Sequence, residues 1–240
     1  MEKKDLIKAK IIDKIRQYEK TGEITCTCFL TPSEIIENKN LFEKMDYSLR
    51  GIFEEAERKV LIVGTEDNIE EDFLDVLEIT SNKPLGHREV LGSILGLGIK
   101  REVLGDIFIN DNIANVVVLK DITKYILQNL EKVGREKVKV KKIKKENIIE
   151  VKPNFTEFNT SVASLRLDAI ISACYGIARG VSTKLVEAEK VNVNYVLTTN
   201  ASKQIKEKDL ISVRGFGRFT VEEIVGETRK GRIRISIKKS

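Results

Sequence analysis

The sequence predicts an α+β protein in three segments: a small N-terminal α/β unit over residues 1–70, a ferredoxin-like middle domain over 71–150, and a C-terminal domain over 160–240. Three observations carry this. Apolar residues near the N-terminus fall at helical spacing and then give way to strand patterns. The elements between residues 73 and 143 follow the order β-α-β-β-α-β. From Ser161 onward two short helix patterns precede strands in which Val or Ile alternates with polar residues.

In the first segment Leu6, Ile7, Ile11, Ile12 and Ile15 mark a helix that stops at Thr21-Gly22. ITCTCFL (24–30) reads as a strand. Thr31-Pro32-Ser33-Glu34 has the chemistry of a helix start, with Thr31 as N-cap, Pro32 at the first position and Glu34 three residues after the cap. A further helix is expected through SLRGIFEEAERK (48–59), leading into the strand VLIVG (60–64).

In the second segment FLDVLEIT (73–80) is a strand and HREVLGSILGLG (87–98) a helix weakened by its glycines. DIFIN (106–110) and ANVVVLKD (114–121) form a hairpin around Asp111-Asn112. ITKYILQNLEKV (122–133) is a helix, and KVKVKKI (137–143) is a strand of strict alternation. RNA-recognition modules share this order, as do unrelated proteins, so it does not decide function. Such modules stack bases on aromatics of their central strands. Here those strands offer only Phe108, which argues against ordinary single-strand stacking. Lys137, Lys139 and Lys141 share one strand face and continue into Lys142, Lys144 and Lys145. Two readings stay open: a phosphate-contacting stripe, or an edge strand that its lysines protect from aggregation. Residues 146–162, with Pro153 and several Asn, Thr and Ser, read as a connector with room for one short strand.

Charge is unevenly distributed. Residues 1–130 carry 18 Lys and Arg against 24 Asp and Glu, whereas residues 160–240 carry 15 against 8. This asymmetry points to a polyanionic partner for the C-terminal part. With 41% hydrophobic and 33% charged residues the composition is that of a globular protein. There is no apolar run long enough for a membrane span, and the charged N-terminus is not a secretory signal. Cys26, Cys28 and Cys174 leave an odd count, which favours reduced thiols in the cytoplasm over a disulfide framework.

The C-terminal segment begins with SVASLRLDAIISACYG, a helix interrupted at Gly176, and a second helix follows through ARGVSTKLVEAEK. VNVNYVL (191–197) reads as one strand with Val191 and Val193 inward. A turn at Lys208-Asp209 precedes another strand, and RIRISIK (232–238) places Ile233, Ile235 and Ile237 on one face. Four stretches here resemble the S-four domain, the small RNA-binding domain named after the fourth small-subunit ribosomal protein. They are Arg166-Leu167-Asp168, Ala178-Arg179 with Ser182 to Val186, Lys190-Val191-Asn192-Val193-Asn194, and Ile205 through Val213. The departures are Ala178 in place of Ser, and Glu189 and Tyr195 in place of Gly; they leave the charged positions intact. Val213-Arg214-Gly215-Phe216-Gly217-Arg218-Phe219 and Thr228-Arg229-Lys230-Gly231-Arg232 narrow the match. So do Phe29-Leu30-Thr31-Pro32 and His87-Arg88-Glu89-Val90-Leu91-Gly92. Together they are similar to the YlmH family of bacterial S-four-domain proteins, over essentially the whole chain.

The resemblance implies the three-domain plan, with an S-four-type RNA-binding domain at the C-terminus. It also implies binding to ribosomal RNA and tRNA on large subunits that carry stalled nascent chains, in ribosome-associated quality control. The implied partners are the large ribosomal subunit, peptidyl-tRNA and quality-control factors, with no membrane, no cofactor and a monomeric protein in the cytoplasm. The candidate RNA-binding residues are Arg166, Asp168, Arg179, Lys184, Lys190, Asn194 and Lys203, then Arg214, Arg218, Arg229, Lys230 and Arg232. Cationic forks and points suit phosphate oxygens. Arg166 has a competing reading as an intradomain partner of Asp168 or a nearby Glu. The competing reading for Arg179 and Lys184 is a solvated helix face.

S-four domains also accompany RNA-modifying enzymes, and pseudouridine synthases use an Asp beside Arg-Leu. Arg166-Leu167-Asp168 is therefore a decoy for that chemistry, with no catalytic domain following it. His87 lacks a nucleophile partner, and Cys26 and Cys28 lack further zinc ligands. Gly92, Gly96 and Gly98 lack nucleotide-loop spacing. A protein-binding adaptor using the acidic N-terminal half remains as an alternative, and is compatible with RNA binding.

Overall fold

In a computed structural model, which describes residues 3–64, 73–149 and 155–239, the chain forms two compact units, Met1–Val151 and Lys152–Ser240. Within the first, helix α1 (Lys3–Thr21) is followed by strand β1 (Thr25–Leu30), helix α2 (Pro32–Asn38), strand β2 (Tyr47–Arg50) and strand β3 (Lys59–Val63). The strands make an antiparallel sheet in the order β1-β3-β2. The spacing of Ile7, Ile11 and Ile15 puts all three on the buried side of α1, against Leu30, Leu61 and Val63, while Leu6 stays at the surface. The expected capping box starts α2. Thr31 Oγ1 accepts from the Glu34 N–H at 3.3 Å, and the Glu34 carboxylate accepts from the Thr31 N–H at 2.8 Å.

The helix expected over 48–59 does not form. Residues Tyr47–Arg50 pair with β3, and the chain then turns toward the middle domain. The cause is non-local. Asp106 accepts from the backbone N–H groups of Glu57 (3.0 Å) and Arg58 (3.3 Å), which takes them away from helical acceptors. The Arg58 guanidinium meanwhile donates to the carbonyls of Leu104 and Phe29.

The middle domain comprises β4 (Leu74–Ser81), α3 (His87–Gly96), β5 (Leu104–Asn110), β6 (Ile113–Leu119), α4 (Lys120–Asn129), β7 (Lys132–Val133) and β8 (Glu136–Ile143). Its strands lie antiparallel in the order β5-β6-β4-β8-β7. The short β7, absent from the expected elements, pairs with the start of β8. On one face Val90, Ile94 and Ile126 of the helices pack on Leu77, Ile79, Val116 and Val118. The opposite face is occupied as well. Leu74, Val76 and Val117 share a cluster with Phe29, Val60 and Ile62 of the first sheet and with Ile52 just after β2. Burying a side chain of this size contributes about 1.5–3 kcal/mol, so this seam unites the two sheets into one unit. A polar rim adds to it, with Lys10 bonded to Glu102 and the Arg58 guanidinium donating to the Leu104 carbonyl at 3.0 Å.

The second unit contains β9 (Thr156–Val162), α5 (Leu167–Tyr175), α6 (Arg179–Glu187), β10 (Val191–Val193), β11 (Val196–Leu197), β12 (Leu210–Val213), β13 (Gly217–Glu227) and β14 (Ile233–Lys239). Its antiparallel sheet runs β11-β10-β12-β13-β14-β9. The end of the expected connector is therefore an edge strand, with Val162 opposite Ile233. Leu167, Ile170, Ile171 and Val186 of the helices pack on Val191, Val193, Ile211, Phe219, Ile235 and Ile237. The run 191–197 is a hairpin rather than one strand. It reverses at Asn194 and Tyr195, whose φ values of 50° and 66° suit a two-residue hairpin turn.

Gly105 sits where the two sheets of the first unit meet. A Cβ added there would lie 2.8 Å from the Phe29 ring and 3.0 Å from Val117 Cβ. Gly105→Ala is expected to cost about 1–3 kcal/mol through overpacking. The measurement is the urea midpoint of the first unit; an unchanged midpoint would show that the seam gives way freely.

Candidate nucleic-acid interface

The centre of the candidate site is a carboxylate rather than a cation. Asp168, in the first turn of α5, has a side chain only 4% exposed. Two guanidinium groups grip it side-on. Arg166 donates Nε–H to Oδ1 and Nη2–H to Oδ2, each at 3.1 Å. Arg179 donates Nε–H to Oδ2 at 3.0 Å and Nη2–H to Oδ1 at 3.2 Å. Burial pushes the Asp168 carboxyl up, but the hydrogen bonds from Arg166 and Arg179 outweigh it and hold the group below its ordinary value. The intradomain pairing of Arg166 is thus present, and Arg179 joins it. Neither guanidinium is lost to the surface, since the side chains are 35% and 50% exposed. Asp168 itself lies beneath that surface. Both its oxygens are engaged by the arginines, which argues against a catalytic role for this carboxylate.

Backbone bonds place Lys203 alongside. Leu167 N–H donates to the Lys203 carbonyl at 2.9 Å, and Asp168 N–H to the Ala201 carbonyl at 3.1 Å. This docks the loop after β11 on the start of α5. Arg179 and Lys184 lie on the same helix, α6, about 140° apart around its axis. Lys184 is exposed. Lys190, Arg214 and Arg218 line one groove on the outer side of the sheet, with Asn192 and Ser212 between them. Arg214 N–H donates to the Lys190 carbonyl at 2.8 Å, so these two residues lie side by side at one end of the β10–β12 pair.

Other expected contacts serve the fold. Asn194 donates to Asp209 Oδ1 at 2.7 Å and accepts from the Leu210 N–H at 2.9 Å, so its amide fixes the hairpin. Arg232 donates to the Ser161 hydroxyl and carbonyl, tying β14 to β9. Arg229 and Lys230 are exposed in the turn joining β13 to β14. The resemblance's two missing glycines fall on left-handed backbone: Glu189 has φ 57° and Tyr195 φ 66°. The turns survive, at a conformational cost that glycine would not incur.

The first unit holds a second cationic place. Lys120, Lys142, Lys144 and Lys145 surround a cleft of about 590 Å³ whose wall includes the buried Asp75. Lys142 pairs with Asp75 at 2.6 Å, and Thr123 donates to the same carboxylate at 2.8 Å. Lys120 lies far from the 137–145 stripe in sequence, and no local pattern associates the two. On that stripe Lys141 pairs with Glu78 at 2.9 Å, while Lys137 and Lys139 are exposed. His87 is exposed at the first position of α3. Burial pushes the Cys26 thiol up to about 12, which makes it a poor nucleophile. Among the described residues no group of three or more His, Cys, Asp or Glu could hold a metal ion.

Comparison with known proteins adds three findings. Two family models match the chain: "YlmH, N-terminal" over residues 3–68, and "Putative RNA-binding domain in YlmH" over residues 70–147. A Bacillus subtilis (strain 168) protein named "Ribosome-associated protein quality control protein P2" is 28% identical over 221 residues, covering 89% of this chain and 86% of that protein. A solved structure, "Cell division protein ylmH from Streptococcus pneumoniae", is similar in fold with a TM-score of 0.55. It covers 62% of this chain and 96% of the other, at 19% identity.

The clamp makes a prediction that plain electrostatics reverses. Asp168→Asn removes a negative charge from a cationic surface, so charge alone would tighten RNA binding. If the carboxylate holds the two arginines in place, binding weakens and the unit melts lower, by about 1–3 kcal/mol. Calorimetric melts and RNA titrations of this variant decide between the two. Acid provides a matching check. The carboxyl titrates lower in the folded state, so the clamp's contribution is complete above the unfolded value of about 3.9 and fades as pH falls through the lower folded value.

Proposed function

The chain belongs to the YlmH family, and from that premise we propose that it is a non-catalytic protein that binds ribosomal RNA and tRNA on the large ribosomal subunit. We place it in the cytoplasm, in quality control of stalled nascent chains. On this reading residues 71–150 are a ferredoxin-like domain and residues 160–240 an S-four-type domain. Their sheet orders and the quoted motifs support that assignment. The name carried by the Bacillus subtilis relative supports the ribosomal setting.

One observation carries the RNA reading: the two guanidinium groups oriented by Asp168. Each uses its Nε–H and one Nη2–H on the carboxylate and keeps its remaining N–H groups for other acceptors. A guanidinium already held in place loses little conformational freedom when a phosphate arrives. Lys184 adds charge on α6, and Lys190 and Arg214 add it on the outer side of the sheet. With few base-reading groups on view, affinity comes chiefly from phosphate neutralisation, and recognition from the shape of the RNA. The family match over residues 70–147 supports a further RNA contact on the first unit, for which the lysine-lined cleft is the best-suited surface.

The test is co-sedimentation with purified large subunits across a salt series. The wild type is expected to pellet at low salt and to be released as salt rises. Replacing Lys184, Lys190 and Arg214 together by Ala should leave the melt within about 0.5 kcal/mol of wild type, since all three are surface side chains. It should flatten the log–log salt slope by about three units. A triple variant that pellets like the wild type at every salt concentration would mean that RNA is held elsewhere.

A further inference from the structure

The turn between β12 and β13 reads Arg214-Gly215-Phe216-Gly217-Arg218. Gly215 and Gly217 adopt φ values of 90° and 105°, a region that other residues enter only with strain. The Phe216 N–H closes the turn on the Val213 carbonyl at 3.0 Å. The turn therefore presents a single aromatic ring between two side-chain-free positions. At Gly215 even an added Cβ would meet nothing within 4 Å, so the space beside the ring is open. Phe216 is 40% exposed, an unfavourable place for a benzyl group in a domain with a formed core.

The ring is braced from behind. Its centroid lies 5.2 Å from that of Tyr175, at an interplanar angle of 52°. Tyr175 in turn stands edge-on to the fully buried Phe219, at 5.6 Å and 78°. The Lys239 ammonium lies 4.5 Å from the Tyr175 ring centroid. A series of aromatic contacts thus runs from the core to the surface and ends on an exposed ring flanked in sequence by two arginines. Surfaces that take unpaired nucleotides are built this way: aromatic faces hold bases while nearby cations hold the backbone.

We propose that Phe216 is a stacking platform for an unpaired nucleobase. The proposal rests on the RNA-binding reading and deepens it: the favoured ligand is an RNA loop, bulge or single-stranded end, with Arg214 on the adjoining phosphate. Stacking accepts any base, so this contact discriminates between paired and unpaired RNA rather than between sequences.

The chain contains no tryptophan, so Phe216→Trp places a lone indole at the site, excited selectively at wavelengths where the tyrosines do not absorb. The probes are an RNA hairpin with an unpaired loop and a blunt duplex of equal length. Phe216→Leu retains an apolar side chain against Tyr175 but has no aromatic face. It is expected to bind the hairpin about five- to a hundred-fold more weakly, with duplex affinity and salt slope unchanged. Phe216→Trp and Phe216→Tyr should bind the hairpin like the wild type, and the indole emission of the Phe216→Trp variant should be quenched by the hairpin but not by the duplex. Wild-type hairpin affinity in the Leu variant, equal losses on both RNAs, or an emission that the hairpin leaves unchanged would each overturn the proposal. If the wild type binds neither RNA, the RNA reading itself fails and the stacking proposal with it.

Discussion

A carboxylate taken out of water is destabilising by several kcal/mol unless its lone pairs find donors. Asp168 meets that condition with two arginines from different elements, the residue capping α5 and the first residue of α6. The arrangement of the second unit's cationic end follows from this. The bonds that satisfy the buried charge fix both guanidinium groups, and the loop carrying Lys203 is docked on the same helix start by main-chain bonds. One anion beneath the surface thus arranges several cations upon it. The local charge would be more positive without Asp168, but its donors would be less well aimed.

The first unit solves a different problem. A sheet covered by helices on one side normally leaves its other side to solvent or to a ligand. Here Phe29, Val60 and Ile62 of the first sheet cover it over Val76 and Val117. Phe108, which the sequence offered as a base-stacking aromatic, lies on the edge strand β5 and is drawn into that packing, edge-on to Phe53 at 5.8 Å. That leaves the margin of the sheet, where β8 and the segment after it carry lysines, as the open cationic surface of this unit.

Much of this fold was legible locally. The Ile7, Ile11 and Ile15 spacing, the Thr31 to Glu34 capping box and the alternation in 137–143 each depend on neighbours within a turn or two. What was hidden depends on distant partners. SLRGIFEEAERK has helical composition, yet Asp106, 48 and 49 residues away from the amides it accepts from, decides its conformation. VNVNYVL looks like a single strand because nothing in its composition announces that Tyr195 will accept positive φ. Residue type and helix position singled out Arg166 and Arg179 as candidates. The burial of Asp168, and the structural engagement of Asn194 and Arg232, became visible only once the strands and helices were assembled.

The seam also bears on how the chain can be divided. The two family models meet between residues 68 and 70, so in evolutionary description the first unit consists of two modules. Physically it does not come apart there. Separating residues 3–64 from 73–149 would strip Phe29, Val60, Ile62, Val76 and Val117 of their common cover, leaving each piece with a continuous apolar face of the kind that drives aggregation. The module boundary and the cooperative boundary of this protein are different places, and a truncation series will respect the second.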